Sequence, residues 1–116
     1  MPDTETSIVI LINRNGMGEA DPALQQKLLQ TYLALLIEGP SLPAVIGFYG
    51  EGVRLVAADS PVLAPLRSLE AKGVRLVACS TCLNYYNLLD QVQVGIAGGM
   101  PDIIEAQWRA GKVITL

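Results

Sequence analysis

The stretch "VACSTCLNYYNLL", residues 77 to 89, holds both cysteines of a chain of 116 residues that contains no histidine. Cys79 and Cys82 stand three apart, a spacing compatible with four kinds of chemistry. A structural zinc site needs four ligands, and two thiols without histidine would have to borrow carboxylates or a second subunit. A thioredoxin-like dithiol has this spacing, but such sites follow an early strand in a different topology and carry aromatic and proline neighbours. Here the pair follows a third strand, with no proline nearby. Two inert core cysteines are a third reading, since free cysteine is among the most buried residue types. Cys79, at the end of an apolar run, fits it better than Cys82. The fourth is a sulfur-transfer thiol, which attacks a sulfane sulfur, holds it and surrenders it to another thiol. That chemistry requires an accessible thiolate and donors for the charged sulfur, and neither a histidine base nor a metal. Cys82 falls in the first turn of an expected helix, where amide N–H groups and the helix dipole favour a thiolate.

Two glycine-bearing loops are the other candidates. "NRNGMGEAD", from Asn13 to Asp21, has Gly16 and Gly18 but Asp at position 21, where a dinucleotide fingerprint needs its third glycine. No Gly-Lys-Ser/Thr follows, so neither phosphate-binding motif is complete. The glycines then permit a tight turn, and Arg14 brings a positive charge. "FYGEGV" places Tyr49, Gly50 and Gly52 after a strand. Its glycines read as a turn, and Tyr49 as either the last core residue of its strand or a wall of a site.

These residues need elements to hold them. "SIVILIN" (Ser7 to Asn13), "AVIGFY" (Ala44 to Tyr49) and "VRLVAC" (Val74 to Cys79) are continuous apolar runs, the mark of strands buried on both faces. Asp21 and Pro22 form an N-cap and first-turn pair for a helix that carries Leu24, Leu28, Leu29, Tyr32, Leu35 and Leu36 and stops near Glu38, before Gly39-Pro40. "VRLVAAD" is ambiguous between a short strand and a helical turn, with helix favoured. Ser60-Pro61 opens another helix, with Val62, Leu63, Leu66 and Leu69 on one face and Gly73 closing it. A short helix begins at or just after Thr81. "VQVGIA" reads as a brief fourth strand, Pro101 starts a last helix bearing Ile103, Ile104, Gln107 and Trp108, and "KVITL" is a terminal strand. Strands alternating with helices predict one α/β domain over residues 1–116, a three-layer α/β/α sandwich with a mainly parallel sheet of about five strands. Ligands of such sheets collect beyond the carboxyl ends of the strands. If the strands are neighbours, the three loops converge there.

Composition narrows the function. The formal net charge is −3 and no basic stretch occurs, which disfavours nucleic acid, because phosphate neutralisation needs clustered Lys or Arg. The apolar runs are shorter than the about 20 residues that span a bilayer. "MPDTETS" is acidic and lacks the order of a signal peptide, so a cytoplasmic location, with reduced thiols, is expected. Hydrophobic residues make up 51%, enough to leave apolar surface for a partner, and a homo-oligomer follows as an expectation.

The segments "ILINRNGMGEAD", "FYGEGVRLVAADSPVLAPLRSLEAKGVRLVACSTCLNYYNL", "VGIAGGMPDIIEA" and "KVITL" together resemble the DsrE/DsrF-like family. Within it, the likeness is nearest to the C-terminal domain of YedF-type, selenium-metabolism-associated, sulfurtransferase-like proteins. The resemblance implies the DsrEFH-like sandwich, a dimer or trimer, and a relay of persulfide sulfur or selenium; no cofactor and no metal are expected. By position the relay cysteine falls on Cys79, and a Cys-x-x-Cys branch adds Cys82. YedF-type proteins carry an upstream SirA/TusA-like domain that this sequence does not include, so a relay partner would be a separate SirA/TusA-like carrier. Cys82 and Cys79 are thus the candidate catalytic residues, Cys82 ahead for reactivity. Asn13, Arg14, Met17, Tyr49, Gly50, Gly52, Thr81 and Asn84 are the candidate substrate-binding residues. The alternative is a non-catalytic oligomeric interaction module with structural cysteines.

Overall fold

The structure, a computed structural model, describes residues 7–116. The acidic segment read as lacking a signal lies, apart from Ser7, outside the described residues. Five strands are described: β1 (Ile8–Ile12), β2 (Val45–Phe48), β3 (Arg75–Cys79), β4 (Ile96–Gly98) and β5 (Lys112–Thr115). Four α-helices connect with them: α1 (Pro22–Glu38), α2 (Leu63–Ala71), α3 (Ser80–Tyr85) and α4 (Met100–Arg109). The sheet order is β4-β3-β2-β1-β5 and every pairing is parallel. This is the α/β sandwich that the alternation of apolar runs predicts.

The layers follow from that order. The chain steps β1 to β2 to β3 to β4 in one direction, so right-handed crossovers put α1, α2 and α3 on one face. The step from β4 back past β1 to β5 puts α4 on the other. Accordingly α1 packs on α2, while a Cβ built on Gly47 of β2 would touch Ile103 of α4. Apart from Arg75 at the start of β3, the central strands are apolar because both faces are covered: Val9 to Ile12, Ile46, Phe48 and Leu76 to Cys79 are all buried.

Local sequence sets the element ends, with some differences from the expectation. Asp21 stands at the N-cap of α1 but makes no side-chain cap hydrogen bond; Pro22 alone marks the start. The loop before it is tied down from α1 instead. Gln25 Nε2 donates to the Gly18 carbonyl (2.6 Å), and the Met17 N–H donates to the Gln25 carbonyl (3.0 Å). Gly16 and Gly18 take positive φ of 150° and 80°, the tight turn expected of them. Helix α2 starts two residues after Ser60-Pro61, because the Ser60 hydroxyl accepts from the Val62 N–H (3.2 Å) and holds those residues in a turn. "VRLVAAD" is helical in part: Gly50–Val56 form a 3₁₀ helix whose Val53, Leu55 and Val56 are wholly buried. Ala57, just after it, bridges Val92 in an isolated antiparallel pair.

Candidate functional site

The order β3-β2-β1 sets three strands side by side, and their carboxyl ends carry Cys79, Tyr49 and Asn13. Each end turns sharply. After β3, Cys79 is the N-cap of α3, and its Sγ accepts from the Cys82 N–H at 3.4 Å. The helix therefore begins at Ser80, one residue before the predicted start, and Cys82 is its third residue. After β2, Gly50 adopts φ 56°, a left-handed conformation that costs a side-chain-bearing residue about 1–2 kcal/mol. That turn aims the Gly50 N–H at α3, where it donates to Cys82 Sγ at 3.2 Å. After β1, the Asn13 Nδ2 donates to the Tyr49 hydroxyl at 3.2 Å.

Gly52 fixes how closely these loops approach. A Cβ on it would overlap the Ile12 carbonyl oxygen and lie 3.3 Å from the Asn13 Cα. The 3₁₀ helix is thus pressed onto the backbone at the end of β1, which only glycine allows. A further clamp comes from Arg54: its guanidinium carbon lies 4.4 Å from the centre of the Tyr86 ring, and its Nε lies 3.3 Å from Glu51 Oε1. The cation over the ring ties the 3₁₀ helix to the end of α3.

The two thiols are free and differently placed. Cys79 is buried at 1% exposure, while Cys82 is partly exposed and packs against the core rim. The Cys82 thiol is pushed above its ordinary pKa. Burial is the main cause, joined by the hydrogen bond and charge of Cys79; the Gly50 N–H pulls the other way. Burial therefore runs against the helix-start thiolate expected from the sequence. Helix α3 has only 6 residues.

A cavity of about 380 Å³ opens beside this point, lined by Asn13, Arg14, Asn15, Pro22, Gln25 and Glu51. Asn13 Oδ1 is buried without a hydrogen-bond partner, the only such side-chain atom among the described residues. Exchanging the two ends of the amide would leave the nitrogen orphaned instead. An unmet buried polar group costs about 1–3 kcal/mol.

Of the residues singled out in the sequence, Asn13, Tyr49, Gly50, Gly52, Cys79 and Cys82 are joined by these contacts, and Arg14 lines the cavity. Three lie apart. Met17 sits in an apolar hollow with Leu24, Leu28, Tyr32 and Leu35 on the surface of α1. Asn84 lines a shallow hollow with Asn87, Leu89 and Asp90. Thr81 is exposed in the first turn of α3. Sequence reasoning missed Glu51, Gln25 and the Arg54–Tyr86 clamp. Glu51 had a signal, a charged residue between two glycines after a strand; the clamp, between residues 32 apart, had none. No group of three or more His, Cys, Asp or Glu among the described residues is placed to hold a metal ion, and no described helix is long and apolar enough to cross a membrane.

The profile of the DsrE/DsrF-like family matches residues 8–116. Three solved structures share the fold. A protein of unknown function, MTH1491 from Methanobacterium thermoautotrophicum, is 23% identical with a TM-score of 0.69, over 95% of this chain and 98% of its own. The ychN protein of E. coli is 14% identical with a TM-score of 0.70, over 95% and 99%. A conserved protein of unknown function, BT1422 from Bacteroides thetaiotaomicron, is 15% identical with a TM-score of 0.65, over 100% and 99%. No curated protein sequence matches the chain.

Proposed function

We infer, for a chain that belongs to the DsrE/DsrF-like family, that it carries sulfur as a persulfide on Cys82, in the manner of a sulfur relay. The observation that carries this reading is the seat of Cys82 Sγ: partly exposed, at the carboxyl edge of a parallel sheet, and held by a backbone N–H turned toward it by a left-handed glycine. The Gly50 amide opposes the cost of charge on that sulfur. In the loading step the Cys82 thiolate attacks the outer sulfur of a persulfide R–S–SH. The inner S–S bond breaks, R–S⁻ leaves and takes up the proton given by Cys82, and Cys82 holds the sulfur as –S–SH. No net oxidation occurs.

Release has two routes. An external thiol can take the outer sulfur, or Cys79 can attack the inner sulfur of Cys82. The second route expels hydrosulfide and leaves a Cys79–Cys82 disulfide, which a pair of external thiols reduces. The close seat of Cys79 Sγ under the Cys82 amide supports that route.

The finer reading is a YedF-type protein with selenium as an alternative cargo and a separate SirA/TusA-like protein as donor or acceptor, in the reducing cytoplasm. The shared segments, "CSTCLNYY" above all, support it. Self-association as a dimer or trimer belongs to the same reading. Met100, Ile104 and Trp108 stand four apart on α4 and are all exposed, Trp108 at 84%; Leu24, Leu28 and Leu35, four and seven apart on α1, are exposed as well. Apolar rows of this kind on a small domain mark interaction surfaces. They are also the observation that favours the second reading, an interaction module with inert cysteines.

Intact-protein mass spectrometry after treatment with a persulfide donor separates the two. A carrier gains the mass of one sulfur, loses the gain in Cys82→Ser and keeps it in Cys79→Ser. Unmodified wild-type protein overturns the carrier.

A further inference from the structure

Sulfur exchange at Cys82 needs a thiol and a donor to its sulfur, and nothing of the neighbouring cavity. Yet that cavity is built from groups of both charges. Arg14 stands on one wall and Glu51 on another, with the orphaned amide of Asn13 in the lining. Its volume, about 380 Å³, falls at the small-molecule end of ligand sites. The walls are fixed. Gln25 pins the loop behind Arg14 through its carbonyl and side chain, and Gly52 pins the loop bearing Glu51 to β1.

The charged heads are weakly engaged. Arg14 meets Glu19 only at 4.0 Å, and Glu19 is 89% exposed. Glu51 shares Arg54 at 3.3 Å on the surface. Exposed pairs of this kind hold little energy, so both heads are free to turn to a ligand. Gly50 joins the two halves of the site: its N–H holds Cys82 Sγ, and the next residue is Glu51.

A cation and an anion on separate walls, with an amide whose free end lacks a partner, match a molecule carrying both a carboxylate and an ammonium. We propose that this cavity binds a small amino-acid thiol or persulfide by its zwitterionic end. Arg14 meets the carboxylate, Glu51 the ammonium, the Asn13 amide a third polar atom, and the sulfur lies toward Cys82. The sulfur-delivering part rests on the carrier reading; the binding part does not. An α-ammonium and α-carboxylate pair occurs in free cysteine and, on the γ-glutamyl end, in glutathione, and it is absent from an uncharged thioether.

Binding is tested on the full chain by amide NMR titration with S-methyl-L-cysteine, which has no transferable sulfur, and with S-methylglutathione and 2-(methylthio)ethanol alongside. Saturable shifts at Asn13, Gly50 and Glu51 are expected with one or both of the first two, identifying free amino acid or peptide, and none with the third. Arg14→Ala and Glu51→Gln should each weaken binding at least about tenfold. Absence of saturation with both zwitterions, equal binding of the neutral thioether, or unchanged affinity in both variants overturns the proposal. Inorganic polysulfide, offered in parallel, keeps the two ideas apart. Sulfur loaded on Cys82 without zwitterion binding sinks the cavity proposal alone, and binding without loading sinks the carrier alone.

Discussion

Replacing Gly52 by alanine tests whether the site is held by close backbone approach. Gly52 is buried and does not have a positive φ. If only chain conformation mattered, alanine would stabilise the protein by about 0.4–1 kcal/mol, through the lost freedom of the unfolded chain. The packing predicts the opposite sign. The new Cβ would overlap the Ile12 carbonyl oxygen and sit 2.8 Å from the Ile12 carbonyl carbon. Those are backbone atoms of a strand paired on both sides, to β2 and β5, so no flexible side chain can swing away. Ordinary contact lies at about 3.5–4.0 Å, and the 3₁₀ helix must withdraw on the order of 1 Å. It would take Val53, Leu55 and Val56, each 0% exposed, partly out of the core. Overpacking of this kind costs about 1–3 kcal/mol, and rigid surroundings place Gly52→Ala near the upper limit. With a urea slope of about 1.5 kcal/mol per M, the unfolding midpoint should fall by about 2 M. Gly18→Ala is the control: it has φ 80° but open space for a Cβ, so conformational strain alone applies, about 1–2 kcal/mol. A Gly52→Ala midpoint equal to or above wild type would refute the close-approach argument, and so would a smaller loss than that of Gly18→Ala.

Alkylation of Cys82 by iodoacetamide should reach half its maximal rate at a higher pH than that of an unstructured cysteine, because burial and Cys79 raise its pKa; a midpoint below that of the free amino acid contradicts this. The same shift makes folding weaken in alkali. A folded pKa above the unfolded one gives stability that is full below the unfolded value and lost as pH rises through the folded value, so Cys82→Ser should flatten the alkaline limb of a urea-midpoint profile. Tyr49→Phe removes the acceptor of Asn13 Nδ2 and should cost about 0.5–1.5 kcal/mol in urea unfolding; a variant as stable as wild type would show the bond to be idle. Light scattering at micromolar concentration should give a multiple of the chain mass, and the multiple should fall in Trp108→Asp or Leu28→Asp. A monomeric wild type refutes the association.

Elements were legible where the signal was local. The apolar runs of β1 to β3 and the Leu66 and Leu69 positions of α2 state their own burial, whereas on α1 only Leu29 and Leu33 are buried and Leu24, Leu28 and Leu35 are exposed. Gly39-Pro40 and Gly73 mark their own breaks. The convergence of three loops was legible only conditionally, since it required the strand order β3-β2-β1, a long-range fact. Position in a helix is visible in sequence, whereas the desolvation that raises the Cys82 pKa is not. The hydrogen-bond donor to Cys82, Gly50, lies 32 residues upstream. Met17 and Asn84 line other hollows, one on the surface of α1 and one beside Asn87, Leu89 and Asp90, and no local signal in the sequence marks either.

The raised pKa of Cys82 bears on what kind of thiol it is. A lower pKa gives more thiolate at neutral pH, but it also makes a weaker nucleophile and a better leaving group. When an acceptor thiol takes the outer sulfur of a persulfide, the departing group is the cysteine that held it. A cysteine whose charged form is disfavoured by burial and by a neighbouring thiol leaves slowly, so the sulfur it holds is retained. Gly50 supplies a single N–H to that sulfur, too little to reverse the cost of burial. In a relay, such a site suits storage between encounters rather than rapid turnover. Cys79 then has a distinct part. Buried at the N-cap, it is out of reach of solutes, but it sits beside the one sulfur it could attack. Removing Cys79 removes two of the influences that raise the Cys82 pKa and also the internal attacker. Cys79→Ala should therefore accept sulfur faster at neutral pH and release no hydrosulfide in the absence of external thiol. Hydrosulfide released by that variant at the wild-type rate would show that Cys79 takes no part.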